Sequence, residues 1–525
     1  MTHRDLVEVM SKPSFYLHEP DRVDLIQTHI SYIFIAGDRV YKVKKAVDFG
    51  FLDFTSLAKR EHYCREELRL NRRLAPEMYL DVLEIREDSR GELHIDGEGH
   101  TVEYALEMKR LPQERMLKKL LGEGAVDKTV MDKVAARLAD FHRRAATGGQ
   151  IDRIGSLETV RLNHEENFDQ TQRYVGLTLP AHQFEFIRTG ARAFIENQKA
   201  LFDQRVADHK IRDCHGDLHL EHICITDGIV IFDCIEFNER FRYEDVAAEA
   251  AFLAMDLDYN GYPDYAQDFV ESYIRHASDP QVAILLNFYK CYYAYVRGKV
   301  TSFRLDEAAI APREREAAAG AAARYFDLAY SYAARLGKQA LILMAGLMGT
   351  GKSALAASLG GRLNADVIRM DVLRKTLIGI EPTEKRLVPF HQGPYSGETT
   401  RKTYAAALER AEQRLQEGRT VIVDASFGSR EQRERFLKRA EHLGVDAFVI
   451  ECVCDEATVR KRLDSRLADG SDASDGRWEI YEAQRDRFDA ITDVPEGRHL
   501  VIDTARSVES CTHEVLVRRQ GIDAG

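Results

Sequence analysis

No apolar run in this 525-residue chain is long enough to span a bilayer, which argues against membrane-spanning helices. The opening residues, MTHRDLVEVMSKPSFY, carry acidic side chains and no apolar core segment, so they do not read as a secretory signal. The eight cysteines never fall into Cys-x-x-Cys spacing, and Cys452 and Cys454 alternate within an apolar strand pattern. Reduced thiols, no zinc site and a cytoplasmic location are expected. Positive charge is also short: 86 acidic against 74 basic residues leave −12, which speaks against a general nucleic-acid or anionic-membrane binder. Internal repeats and long low-complexity segments are missing too.

What is present begins with length, enough for roughly three to four domain-sized units. Residues 341–353 read LILMAGLMGTGKS, and Gly346, Gly351, Lys352 and Ser353 fit G-x-x-x-x-G-K-[ST]. An apolar strand precedes the motif and a helix-compatible run follows. In that setting the glycines let the backbone of Gly346, Leu347, Met348, Gly349, Thr350 and Gly351, continuing to Ala354, curl its N–H groups towards phosphate oxygens. Lys352 then reaches the terminal phosphates, and Ser353 offers an oxygen to Mg²⁺. The motif predicts ATP or GTP.

Around it, strand-like runs at Leu341–Ala345, Val367–Met370, Thr420–Val423, Ala447–Val453 and Leu500–Ile502 alternate with amphipathic helices, among them Thr400–Glu417 and Glu456–Leu467. That pattern predicts a doubly wound α/β parallel sheet. An Ala-rich helical stretch, 313–336, leads into it, so domains of 1–336 and 337–525 are expected. The front reads differently: hairpin strands over 22–45, a helix at Ser56–Leu74, three strands to Glu107, then mostly helix from Lys118 to about Ala207. A compact loop-and-strand block, 211–237, precedes further helices. This α+β order, a small β-rich lobe before a helical lobe, is kinase-like.

Phosphoryl transfer needs a carboxylate near the attacking hydroxyl and another on the metal. Asp217, in HGDLHLEH (215–222), and Asp233, at the end of IVIFD, lie 16 residues apart across two short strands that bring both to one cleft. Lys42 and Lys44 share one face of their strand. Glu67, on the next helix, is placed to ion-pair with one of them and so position nucleotide phosphates. The acidic residues Asp256, Asp258 and Asp264, in MDLDYNGYPD, read as a solvated loop, with an acidic cleft for a cationic acceptor as the alternative.

In the back half, Asp424 ends the strand VIVD as a carboxylate that organises Mg²⁺. No Glu follows it, which disfavours a motor ATPase. Asp371, at the end of the second strand, is a candidate base for an acceptor hydroxyl, and Arg374 one turn on is a candidate substrate contact. Arg462 and Arg466 share a helix face beside the polar stretch 468–472, as a lid over the phosphates would. Residues 381–404, with His391, Tyr395 and Arg401, read as an insertion that is a candidate substrate wall, with surface loop as the default.

HGDLH, IVIFD and Glu244-Asp245-Val246-Ala247 resemble the aminoglycoside phosphotransferase-like branch of the protein-kinase fold over roughly residues 25–300. The resemblance implies Asp217 as catalytic base, Asp233 as Mg²⁺ ligand, Asp245 as a structural residue, and Lys42, with Lys44 as the alternative, on the phosphates. It also implies Asn where this chain has His222, and imidazole is a poorer Mg²⁺ ligand than oxygen; metal, phosphate oxygen and loop support are the readings for His222. Residues 338–510 resemble the zeta-toxin, chloramphenicol phosphotransferase and gluconate kinase group of P-loop kinases, and the whole chain resembles bacterial fusions of the two. A two-module phosphotransferase using ATP and Mg²⁺ on small-molecule acceptors is expected. The competing readings are a non-catalytic nucleotide sensor in front and an ATPase switch overall.

Overall fold

The computed structural model describes residues 3–50, 52–307, 310–381, 396–469, 478–495 and 497–520, without the side chains of 3–5, 466–469 and 479. The chain divides into two compact units. One comprises Met1–Ala181 with Arg192–Ala329, the other His182–Ala191 with Tyr330–Gly525.

The first unit is bilobal. Its small lobe is an antiparallel sheet of six strands: β1 (Val23–Gln27), β2 (Ser31–Ala36), β3 (Arg39–Lys44), β4 (Tyr79–Glu87), β5 (Leu93–Ile95) and β6 (His100–Lys109). Their order is β1-β2-β3-β6-β4-β5. In β3, alternation turns Tyr41 and Val43 into an apolar core with Phe34, Ile85 and Ala105, and Lys42 and Lys44 to the opposite face. The helix Leu57–Asn71 starts at Ser56, whose hydroxyl accepts from the Lys59 amide, and buries Glu67 completely.

The large lobe is helical, interrupted by two small two-stranded antiparallel sheets: β7 (Ile211–Asp213) with β10 (Tyr243–Asp245), and β8 (Ile223–Ile225) with β9 (Ile229–Ile231). Asp245 caps the helix Val246–Tyr259 through the Ala247 amide at 2.8 Å. Asp256 and Asp258, expected in a loop, lie inside this helix. Asp256 accepts from the Leu220 amide at 2.9 Å, and Asp258 pairs with Lys290 at 2.5 Å. The continuous apolar run ahead of them buries the helix on nearly every side and carries it through the polar residues.

The second unit is a parallel sheet of β11 (Ala340–Ala345), β12 (Asp366–Arg369), β13 (Val421–Asp424), β14 (Asp446–Val453) and β15 (His499–Asp503), in the order β12-β13-β11-β14-β15. Every residue of β11 is buried, as befits a central strand covered on both faces. The strand order reverses direction at β11, so the loop after it opens at the topological switch point where α/β sheets bind ligands. Arg401, expected in an insertion, lies in the helix Gly397–Gln416; His391 and Tyr395 fall outside the described residues. No helix among the described residues is long and apolar enough to cross a membrane.

Candidate active sites

In the first unit a cavity of about 1470 Å³ is lined by Lys42, Gly216, Asp217 and Asp233, among others. Lys42 Nζ donates to Glu67 Oε1 at 2.7 Å and to Asp233 Oδ1 at 2.8 Å. Glu67 pairs with both lysines rather than one, its Oε2 accepting from Lys44 Nζ at 2.7 Å. Lys44 is buried, also pairs with Glu236, and sits over the Phe54 ring, so Lys42 is the lysine that reaches the cavity. Burial opposes the Lys42 charge, but Asp233 and Glu67 outweigh it and hold the ammonium protonated well above its usual range.

Asp233 follows β9 in the left-handed region, φ 65°, with its amide donating to the Tyr79 hydroxyl at 3.1 Å. Burial raises its carboxyl; Lys42 and His222 overcome that and hold it well below the ordinary carboxylate range. Asp217 is likewise depressed against burial, chiefly by His219, whose Nε2 lies 3.6 Å from Asp217 Oδ2. His222 stands between the two carboxylates: Nδ1 donates to the Asp217 carbonyl at 2.8 Å, and Nε2 lies 3.6 Å from Asp233 Oδ2. Burial, then His219, lowers its basicity.

The loop carrying Asp217 is held from below by a residue that the sequence reading passed over. Glu249 Oε1 accepts from the His215 and Gly216 amides at 2.6 and 2.8 Å, while Oε2 accepts from His142 Nε2 at 2.6 Å. The only sequence signal was its position, one helical turn after the Asp245 cap. Gly216, at φ 85°, admits no Cβ, which would lie 2.7 Å from the Phe241 carbonyl oxygen. Asp245 itself is locked by Arg205 at 2.6 Å.

In the second unit the loop after β11 has Gly346, Gly349 and Gly351 at φ 124°, 78° and 82°. Leu347 O accepts from Lys352 Nζ and Thr350 Oγ1, each at 2.7 Å, and the Met348 amide donates to Gln484 Oε1 at 2.9 Å. Leu347 and Met348 pack against Val459, Leu463 and Tyr481. Ser353 and Ala354 occupy the first turn of the helix Lys352–Leu363. The Ser353 hydroxyl bonds to Asp424, whose carboxyl is raised by burial despite that bond and despite Lys352. A buried carboxylate beside a hydroxyl is an oxygen donor set that suits Mg²⁺.

Two expectations shift here. Asp371 is in the first turn of the helix Met370–Leu377 rather than at the end of β12, and Arg374 pairs with it at 2.9 Å. Arg462 is not poised over a gap: its Nη2 donates to Thr504 O at 2.6 Å, and Thr504 Oγ1 donates to Thr350 O at 2.6 Å, clasping the loop from its floor. Arg466 lies in the same helix with its side chain outside the described residues, as does all of 470–472.

These two constellations define a protein with two kinase-type domains, a phosphotransferase domain followed by a nucleotide-binding P-loop domain. The model of the phosphotransferase enzyme family matches residues 36–285, and that of an AAA domain matches 341–491. The uncharacterized protein Rv2004c of Mycobacterium tuberculosis (strain H37Rv) is 30% identical over 466 residues, spanning 88% of this chain and 89% of that protein. The uncharacterized protein Mb2027c of Mycobacterium bovis matches to the same extent. The chain belongs to the family of these mycobacterial proteins. Among solved structures, a choline/ethanolamine kinase family protein from Mesorhizobium loti aligns with 63% of this chain and 99% of its own, at 13% identity and TM-score 0.38. A gluconokinase from Sinorhizobium meliloti aligns with 35% of this chain and 92% of its own, at 18% identity and TM-score 0.26.

Proposed function

We propose that the chain is an ATP-dependent phosphotransferase with two nucleotide sites, each passing the terminal phosphate to a small-molecule hydroxyl. The observation that carries this reading is the convergence of Lys42, Asp233 and Asp217 on one cavity, with Glu67 fixing Lys42 from behind. In the front site Lys42, fixed by Glu67, holds nucleotide phosphate. Asp217, ionised and oriented by His219, takes the proton of the acceptor hydroxyl as its oxygen bonds to the terminal phosphorus and the bond to ADP breaks. Asp233 is the residue that would hold Mg²⁺. His222, with Nδ1 committed to a carbonyl and nitrogen a poor Mg²⁺ donor, serves better as a spacer between the carboxylates than as a ligand. In the back site Lys352 and the loop amides hold phosphate, Ser353 and Asp424 would hold Mg²⁺, and Asp371, oriented by Arg374, takes the acceptor proton. Bound Mg²⁺ supplies charge neutralisation of the phosphates in both sites.

His222 between the carboxylates favours one second reading, a front unit that senses nucleotide without transferring phosphate. Incubating a metabolite pool with labelled ATP and wild type, Lys352→Ala or Asp217→Ala protein separates them. Products lost in one variant alone assign acceptors to each site. If Asp217→Ala loses none of the products while Lys352→Ala loses all, the front site is a sensor. No labelled product from any protein overturns the phosphotransferase reading.

A further inference from the structure

The cavity that holds Lys42, Asp217 and Asp233 is also walled by Arg297 and Lys299 of the helix Val282–Phe303. Among the described residues neither cation has a carboxylate within salt-bridge distance. Lys299 Nζ donates to Asn167 Oδ1 at 2.6 Å and to Gln170 Oε1 at 2.8 Å, neutral acceptors that orient an ammonium without neutralising it. Arg297 bonds to the Tyr325 hydroxyl and lies near enough to Asp217 to help depress its carboxyl.

The carboxylates of the same wall are otherwise engaged. Glu166 is held by Arg240 at 2.7 Å, Asp233 by Lys42 at 2.8 Å, Asp245 by Arg205 at 2.6 Å, and Glu236 by Lys44. Burial and Glu249 push the Glu244 carboxyl well above its ordinary range, and it accepts from the Tyr293 hydroxyl. That leaves Asp217, which faces the reacting hydroxyl, and Asp169 on the exposed rim. Lys299 is thus left with neutral hydrogen-bond partners, while Arg297 lies in the field of Asp217 and Asp256. Burial disfavours a cation with only neutral partners until an anion completes the site.

We infer that the acceptor of the front site carries, besides its hydroxyl, a phosphate or carboxylate group that Lys299 and Arg297 bind. This rests on the phosphotransferase reading of that site, and it runs against a polycationic acceptor, which Lys299 and Arg297 would repel. Tyr292, Phe252 and Phe303 give the cavity an apolar flank for the body of such a molecule.

The test uses full-length protein carrying Lys352→Ala, so that the back site contributes no transfer. Labelled ATP is offered with three acceptor mixtures: sugar monophosphates, sugar acids, and aminoglycosides. Turnover is expected with one of the first two, which also tells phosphate from carboxylate. Lys299→Met should raise that acceptor's KM about tenfold with kcat changed far less, as loss of one charge-assisted contact predicts, and Lys299→Arg should restore it. Turnover confined to aminoglycosides, or an acceptor KM indifferent to Lys299→Met, overturns the inference. If nothing is turned over, the phosphotransferase reading fails separately. Calorimetric titration of the Asp217→Asn, Lys352→Ala protein with glucose 6-phosphate and with gluconate then decides. Binding weakened about tenfold by Lys299→Met upholds the anion site, and no binding, or binding unchanged by that substitution, removes it.

Discussion

Two side chains, one buried and one half-buried, set the terms at the scale of single residues. Glu249 is fully buried and accepts three hydrogen bonds, two from the amides of the loop that presents Asp217. Burial raises its carboxyl, yet His142 and those amides hold it below its ordinary value, so it is charged in the folded protein. Glu249→Ala strands three donors in a dry site and should cost about 3 kcal/mol in denaturant unfolding. Front-site transfer should fall with it, because the Asp217 loop loses its floor. Glu249→Gln, which keeps one oxygen for the amides, should cost less; equal losses from both variants would point to the charge rather than the amide contacts. Lys299 is the opposite case, a cation that burial pushes down to about 8. The protonated form binds the acceptor's anion, so kcat/KM for that acceptor should be level below pH 8 and fall as pH rises through it. Lys299→Arg, which stays charged, should extend the plateau upward.

Among the elements, the phosphate-binding loop shows how far local pattern reaches. Gly346 sits at φ 124°, and a Cβ there would lie 2.4 Å from the Cys452 carbonyl oxygen. Gly346→Ala must therefore move either the loop or β14, at a strain of about 1–3 kcal/mol. In a Lys42→Ala background it should weaken binding of a non-hydrolysable ATP analogue at least tenfold by equilibrium titration. Unchanged affinity would mean that the loop tolerates the shift. Such a glycine was legible because the motif encodes its own backbone path. So were all five strands around it, placed to within about a residue, since β11, β13 and β14 are written as the continuous apolar runs of buried parallel strands and the edge strands β12 and β15 as shorter apolar stretches beside them. Lys42, Glu67, Asp217 and Asp233 were legible as an ordered set, although not the double pairing of Glu67. The partners that hold these motifs in place were not legible. Glu249 under the His215 loop, Gln484 on the Met348 amide and Thr504 against Arg462 come from distant segments with no spacing rule. Asp256 and Asp258 were misread because turn-like composition around them was outweighed by the burial of the helix they end.

For the molecule as a whole, chain order and compact units do not coincide. Residues 182–191, from the middle of the front sequence, belong with the P-loop unit. Phe186 is almost fully buried there, edge-on to Tyr330 at 5.0 Å and to His513 at 5.9 Å. The Tyr330 hydroxyl and His513 Nδ1 share a hydrogen bond at 2.9 Å, and His182 packs on the same imidazole at 4.8 Å. The P-loop unit has its own apolar core around Leu341, Val423 and Val449, and the front unit has another around Phe34, Val43 and Ile85. Two cores of this kind should melt as two calorimetric transitions. The one that belongs to the P-loop unit is identified by its rise with an ATP analogue, a rise that Lys352→Ala abolishes; at a hundredfold excess over Kd the ligand adds about 2.7 kcal/mol. Phe186→Ala removes a large buried ring and should lower that transition by about 3–5 kcal/mol. The front transition should stay in place, even though the substituted residue lies more than 140 positions ahead of the phosphate-binding loop. If the front transition fell instead, residues 182–191 would owe their burial to the front core, and the back unit would begin only at Tyr330.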